Sequence, residues 1–217
     1  MKILVAITSY EVARQNGGND AIRDTWLKDV DRDKMDVVFF SGRGTTAPLH
    51  ADEVTLDVGD DYKNVTHKMI TSTRWALDRG YTHIFRTYPD VYLRPERLLA
   101  AVNDKPYVGW PIIIPNAIPY ASGGASYWLT DYAARFMFDT KVPYDWADDR
   151  WVGHVMHEHG VQLWGDLRYS PWAKPILKRN ENITAHLSRS MQDGQAGVYK
   201  PQWMYNVHKF WTLSQSI

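Results

Sequence analysis

Thr66-His67-Lys68-Met69-Ile70-Thr71-Ser72-Thr73-Arg74-Trp75-Ala76-Leu77-Asp78-Arg79-Gly80-Tyr81-Thr82-His83-Ile84-Phe85-Arg86 is the stretch that decides the fold. Met69, Ile70, Thr73, Trp75, Ala76 and Leu77 fall mostly on one side of a helix over 66–78, the pattern of an element that buries one face. Arg79 places a cation at the carbonyl end of that helix, and Gly80 stops it. Tyr81 to Arg86 then reads as a short, β-rich strand. A helix closed by glycine and followed at once by an apolar strand is half of a strand–helix–strand unit.

The same alternation continues on both sides. Ile3-Leu4-Val5-Ala6-Ile7 is an unbroken apolar run, predicted to be a first buried strand. A polar loop (Gln15 to Asp20) leads into a helix in which Ile22, Trp26 and Leu27 share a face, with Asp20 as its N-cap. Met35 to Phe40, closed by Ser41-Gly42-Arg43-Gly44, and Val54 to Val58 read as two more strands. Arg94 to Val102 reads as a helix opened by Pro95. Strands and helices that alternate in this way predict an α/β fold with a mostly parallel, Rossmann-like central sheet covered on both faces. Ligands of such sheets collect beyond the carboxyl ends of the strands.

The second half is less regular. It holds a proline-punctuated stretch (Trp110 to Pro119), a glycine turn (Ser122-Gly123-Gly124-Ala125), a helix over about 131–138, and an acidic turn entering a helix over about 148–159. A length of 217 residues with 44% hydrophobic content suits one domain with one active site. Its nucleotide-binding half is expected over 1–105 and its acceptor and catalytic half over 106–217.

Lys plus Arg and Asp plus Glu are 25 each, so no global field draws the chain to a polyanion or a membrane surface. Cysteine is absent, which excludes disulfides, thiolate metal sites and a thiol nucleophile and fits a reducing compartment. The apolar start is too short for a secretory leader, and no run approaches the roughly 18 apolar residues of a membrane helix. A soluble, cytoplasmic protein is expected. Ten tryptophans and thirteen tyrosines serve either as core or as stacking platforms for sugars or bases.

Five patterns, in order along the chain, carry a family resemblance. Ala21-Ile22-Arg23-Asp24-Thr25-Trp26 is similar to I-R-x-T-W, and Asp57-Val58-Gly59-Asp60-Asp61-Tyr62-Lys63-Asn64-Val65-Thr66-His67-Lys68 to D-x-x-D-x-Y-x-N-L-T-x-K. Arg86-Thr87-Tyr88-Pro89-Asp90-Val91-Tyr92 falls at an acidic triplet after a strand, Tyr120-Ala121-Ser122-Gly123-Gly124 at Y-x-S-G-G, and Asp148-Asp149-Arg150-Trp151-Val152-Gly153 at E-D-V-x-x-G. Together they resemble glycosyltransferase family 31, the fringe and β-1,3-galactosyl- or N-acetylglucosaminyltransferase family, in a distant microbial or viral form. The resemblance implies a GT-A fold and an inverting transfer of a sugar from a nucleotide diphosphate, UDP in most relatives, to an acceptor hydroxyl.

It also implies residues. The last aspartate of the triplet and a histidine near the C-terminus hold manganese in the family, and Asp90 and His186 occupy those stations. Mn²⁺ or Mg²⁺ held by carboxylate, imidazole and water neutralises a pyrophosphate leaving group as a Lewis acid. Tyr88 and Pro89 replace the first two acidic residues, so an acidic contact to the nucleotide ribose is lost. Asp149 matches the catalytic base, which takes the proton of the attacking hydroxyl; Asp148 beside it is expected to cap the helix.

Thr8 and Ser9 end the first strand where a nucleotide usually lies, and Arg23 and Lys68 are candidates for phosphate or base. Asp57 completes the donor set, and Gly123 and Gly124 allow backbone close to a sugar. His154, His157 and His159 lack the intervening glutamate of a zincin helix and read as helix surface. The acceptor is a glycan, a protein side chain or a modified DNA base. A phage enzyme acting on hydroxymethylated pyrimidines is one alternative, since Lys200 to Trp211 interleaves cations with aromatics. A non-catalytic sugar- or nucleotide-binding relative is another.

Overall fold

Ile3–Thr8 has no exposed residue and forms β1, an interior strand of the main sheet. The computed structural model describes residues 1–44, 46, 49–145, 147–171, 181–190 and 199–214. From β1 the chain passes through α1 (Glu11–Gln15), α2 (Gly18–Asp24) and a 3-10 turn (Trp26–Asp29) to β2 (Met35–Ser41) and β3 (Glu53–Thr55). A second 3-10 turn (Tyr62–Asn64) opens α3 (Val65–Asp78), which returns the chain to β4 (His83–Thr87), β5 (Val91–Leu93) and α4 (Pro95–Ala101). Then come β6 (Tyr107–Gly109), β7 (Pro111–Ile112), β8 (Tyr120–Ala121), β9 (Tyr127–Thr130), α5 (Asp131–Arg135) and α6 (Asp148–Glu158). The last elements are β10 (Trp164–Gly165), β11 (Tyr169–Ser170), β12 (Thr184–His186), α7 (Leu187–Ser190) and α8 (Pro201–Ser214).

The seven-stranded sheet runs β10-β6-β9-β4-β1-β2-β3. It is mostly parallel, as expected: β1 pairs in parallel with β2 and β4, β2 with β3, and β10 with β6. Only β9 runs against its neighbours, between β4 and β6. Because successive side chains of a strand face opposite ways, β1 feeds two cores. Ile3, Val5 and Ile7 join Trp26, Phe39, Phe85 and Met204 on one face, while Leu4 and Ala6 join Phe40, Met69, Leu129, Trp151 and Val155 on the other. Burial on both faces explains why β1 reads as a continuous apolar run rather than an alternating one.

Four expectations are corrected. The N-cap of α2 is Gly17, at φ 81° in the left-handed region that glycine enters without penalty, and Asp20 sits inside the first turn. Ile22, Trp26 and Leu27 are buried, but Trp26 and Leu27 belong to the 3-10 turn after α2. The strand expected over Val54–Val58 ends at Thr55, because Asp57 and Val58 turn toward Arg43, whose backbone N–H bonds to the Val58 carbonyl at 2.7 Å. The strand after α3 begins at His83, since the backbone N–H of Tyr81 still bonds to Ala76 O at 3.2 Å and closes the helix.

The cation- and aromatic-rich tail is the helix α8, with Met204, Val207 and Trp211 buried in the core. Part of that pattern is therefore core, while Phe210 is 43% exposed. No helix of the described residues is long and apolar enough to cross a membrane.

Candidate active site

A cleft of about 620 Å³ opens beyond the carboxyl ends of β1 and β4. The β1–α1 connection brings Thr8, Tyr10 and Glu11 to it, and the segment entering α3 brings Asp60, Asp61, Tyr62 and Lys68. The turn after β4 adds Tyr88 and Asp90, the glycine turn Gly123 and Gly124, the start of α6 Asp148 and Asp149, and β12 its last residue, His186. Seven of the expected site residues therefore converge: Thr8, Lys68, Asp90, Gly123, Gly124, Asp149 and His186.

Asp90 and His186 are brought together by the small sheet β11-β12-β5. Antiparallel pairing sets His186 opposite Val91, and the Leu187 N–H bonds to the Asp90 carbonyl at 2.8 Å. The side chains then meet, His186 Nε2 lying 3.0 Å from Asp90 Oδ2, while Ser188 Oγ donates to the same oxygen at 2.5 Å. Burial pushes the Asp90 acid up, but the hydrogen bonds from His186 and Ser188 outweigh it and hold the carboxyl below its ordinary range. The backbone of Gly124 packs on the imidazole: a β-carbon there would stand 2.7 Å from Nδ1. A carboxylate oxygen beside an imidazole nitrogen is a donor set that fits Mn²⁺ or Mg²⁺. Among the described residues no group of three or more His, Cys, Asp or Glu is arranged to hold a metal, so such an ion would need water or ligand oxygens to complete its shell.

Asp149 is the second residue of α6. Its Oδ2 accepts from the Gly123 N–H at 2.9 Å and its Oδ1 from the Arg150 N–H at 2.8 Å, which aims the carboxylate along the glycine turn. Asp148 does not cap the helix as expected. The N-cap is Ala147, and the Asp148 side chain turns inward to pair with the guanidinium of Arg86 and to accept from Tyr88 Oη at 2.9 Å. Arg86 is 3% exposed and lies over the Tyr88 ring, 4.3 Å from its centroid. Burial raises the Asp148 acid and Arg86 opposes that shift; burial likewise holds the Tyr88 hydroxyl protonated, well above its usual value. Tyr88 thus bonds inward to Arg86 and Asp148.

On the donor side, Lys68 is 3% exposed and spans the end of β1 and the loop before α3. Its Nζ donates to Ser9 O at 2.9 Å and to Asp60 Oδ1 at 3.1 Å. Burial lowers its pKa, with Asp60 pulling the other way. Asp60 in turn accepts from the backbone N–H groups of Glu11 and Gly42, each at 2.6 Å. Lys68 and Asp60 together brace the floor of the cleft between the end of β1 and the loop before α3.

Arg23 and Asp57 do not line the cleft. Arg23 donates to Asp52 at 2.7 Å, to Glu53 at 2.6 Å and to Asp20 at 2.9 Å, pinning α2 to β3. Asp57 points outward, its side chain 90% exposed beside Arg43. Cleft residues that sequence reasoning passed over include Tyr10, Glu11, Asp60, Asp61 and Tyr62. Three of these lie inside the second family-like motif, so the signal for them was the motif itself.

The architecture is the α/β fold of GT-A-type glycosyltransferases. Among solved structures it is similar to a glycosyltransferase involved in the glycosylation of the major capsid of PBCV-1, at 7% identity and a TM-score of 0.55, over 94% of this chain and 98% of that one. It is also similar to the apo form of the glycosyltransferase GlyE of Streptococcus pneumoniae TIGR4, at 8% identity and a TM-score of 0.51. There the match takes in 99% of this chain and 63% of the GlyE chain, so this chain spans less than two thirds of GlyE. No family model and no curated protein sequence matches the chain.

Proposed function

We propose that the protein is an inverting glycosyltransferase that moves a sugar from a nucleotide diphosphate, UDP foremost, to an acceptor hydroxyl. One observation carries the reading: the Asp90–His186 pair and the Asp149 carboxylate face one cleft and are bracketed by a single turn, Gly123-Gly124. Shared glycosyltransferase architecture raises the prior, although fold alone does not fix function.

Asp90 and His186 would hold Mn²⁺ or Mg²⁺, which supplies Lewis-acid neutralisation of the pyrophosphate as it leaves. The nucleotide would rest along Thr8, Tyr10 and the Lys68–Asp60 brace. Asp149 takes the proton of the acceptor hydroxyl while the oxygen of that hydroxyl bonds to the anomeric carbon. The bond from that carbon to the diphosphate breaks on the opposite face, and UDP departs with the electron pair. The Gly123 N–H holds Oδ2 of Asp149 and the Arg150 N–H holds Oδ1, so the carboxylate is fixed in one orientation before an acceptor arrives.

The test is UDP release from a panel of UDP-sugars with glycan, protein and hydroxymethylated DNA acceptors, comparing wild type with Asp149→Asn. A fall in turnover of about 10²-fold or more, with UDP still bound, is the expected result for loss of a general base. Full turnover by the variant would remove Asp149 from the mechanism, and a wild type that binds UDP but transfers nothing to any acceptor would favour a binding protein.

A further inference from the structure

Tyr62 lines the cleft and is 74% exposed. The turn beneath it is tightly made. Asp61 accepts from the Lys63 N–H and from Asn64 Nδ2, both at 2.8 Å. Tyr144 Oη donates to Lys63 O at 2.6 Å, and Thr66 Oγ1 donates to Asp145 O at 2.8 Å. The last two bonds bolt the Tyr62 turn to the segment that leads into α6, the helix that carries Asp149. An exposed aromatic ring is thereby held on a fixed backbone beside the candidate base. Partial burial, and then the negative charges of Asp148 and Asp149, keep its hydroxyl above the usual pKa, so the ring remains neutral next to these carboxylates.

The charges around the ring narrow what it can meet. Glu11, Asp60, Asp61, Asp90, Asp148 and Asp149 all line the cleft. Its cation Lys68 is engaged by Asp60, and Arg86 beneath it by Asp148. A polyanionic acceptor would bring like charge against these carboxylates. The hydroxyls of an uncharged sugar instead donate to carboxylates, and the C–H face of a pyranose lies well on a π face.

We propose that Tyr62 is the acceptor platform: its ring stacks against one face of an uncharged saccharide and presents a hydroxyl of that sugar to Asp149. The role of Asp149 rests on the glycosyl-transfer reading above; the stacking does not.

Saturation-transfer NMR with lactose, maltose, cellobiose and N,N′-diacetylchitobiose as probes tests the platform directly. At least one probe should take up saturation from the wild type, keep it with Tyr62→Phe and Tyr62→Trp, and lose about fivefold in apparent affinity with Tyr62→Ala, as expected for one lost stacking contact. UDP affinity in the presence of Mn²⁺ should be the same in Tyr62→Ala and wild type. Silence from all four probes, an unchanged signal in Tyr62→Ala, or tighter binding of a hydroxymethylcytosine duplex than of any probe would overturn the assignment. So would an equal loss of UDP binding in Tyr62→Ala, which would make the ring a nucleotide contact. A Tyr62-dependent saccharide signal in a protein that binds no UDP would leave the platform standing and remove the transferase reading.

Discussion

The backbone of Gly124 lies against the imidazole of His186 so closely that a β-carbon at that position would be 2.7 Å from Nδ1 and 2.8 Å from Cε1. Gly124→Ala must therefore displace His186 from Asp90. Outer contacts that orient a metal ligand are typically worth about 10–100-fold in metal affinity, and a loss in that range is expected in a Mn²⁺ titration in the presence of UDP. Gly123→Ala meets Asp149 instead, 3.2 Å from its Cβ, and should lower turnover while leaving the Mn²⁺ response intact.

Arg86 and Asp148 form an ion pair with side chains 3% and 7% exposed. Removing one partner strands the other charge in the interior. Arg86→Met is expected to cost about 3–5 kcal/mol in urea unfolding, and Arg86→Met with Asp148→Leu less than the single change. A loss under about 1 kcal/mol for the single variant would show that solvent reaches the pair.

Asp90 sits below its ordinary pKa through His186 and Ser188, against the pull of burial. A depressed folded value contributes stability that is complete above the unfolded pKa, near 4, and is lost as pH falls through the folded value. Ser188→Ala removes a 2.5 Å hydrogen bond, so the metal-free variant should be about 1 kcal/mol less stable at neutral pH and should complete a smaller acid loss at a higher pH, the onset being unchanged. Urea melts from pH 6 down to pH 2 measure both effects.

Arg23 and Asp57 separate structural from functional residues. Arg23→Ala breaks the bonds to Asp52 and to Glu53, whose side chain is 1% exposed, and should cost about 2–3 kcal/mol with UDP affinity unchanged. Asp57→Ala, at an outward-facing position, should alter neither. A tenfold loss of UDP affinity in either variant would return that residue to the donor site.

Sequence reading went furthest where one local property decided the outcome. The apolar run at β1 and the periodicity of α3 follow from burial on two faces and on one face. The antiparallel insertion of β9 between β4 and β6 left no such trace, since pairing partners far apart in sequence impose no local pattern on a four-residue strand. Within Asp57 to Lys68 the motif offered several carboxylates, and which of them turns inward is set by the N–H groups of Glu11 and Gly42, which draw in Asp60. Arg23 reads as a candidate for phosphate or base, and only the arrival of Asp52 and Glu53 at the edge of β3 makes it a clamp. Tyr62 looks like any turn tyrosine until the bond from Tyr144 Oη to Lys63 O ties its turn to the approach to α6.

The most direct test is isothermal titration of UDP, with and without Mn²⁺, on wild type, Asp90→Ala and His186→Ala. The expected result is binding that requires Mn²⁺ in the wild type and disappears in both variants. Binding that ignores Mn²⁺ would remove the metal assignment, and no binding of UDP under either condition would contradict the donor site itself.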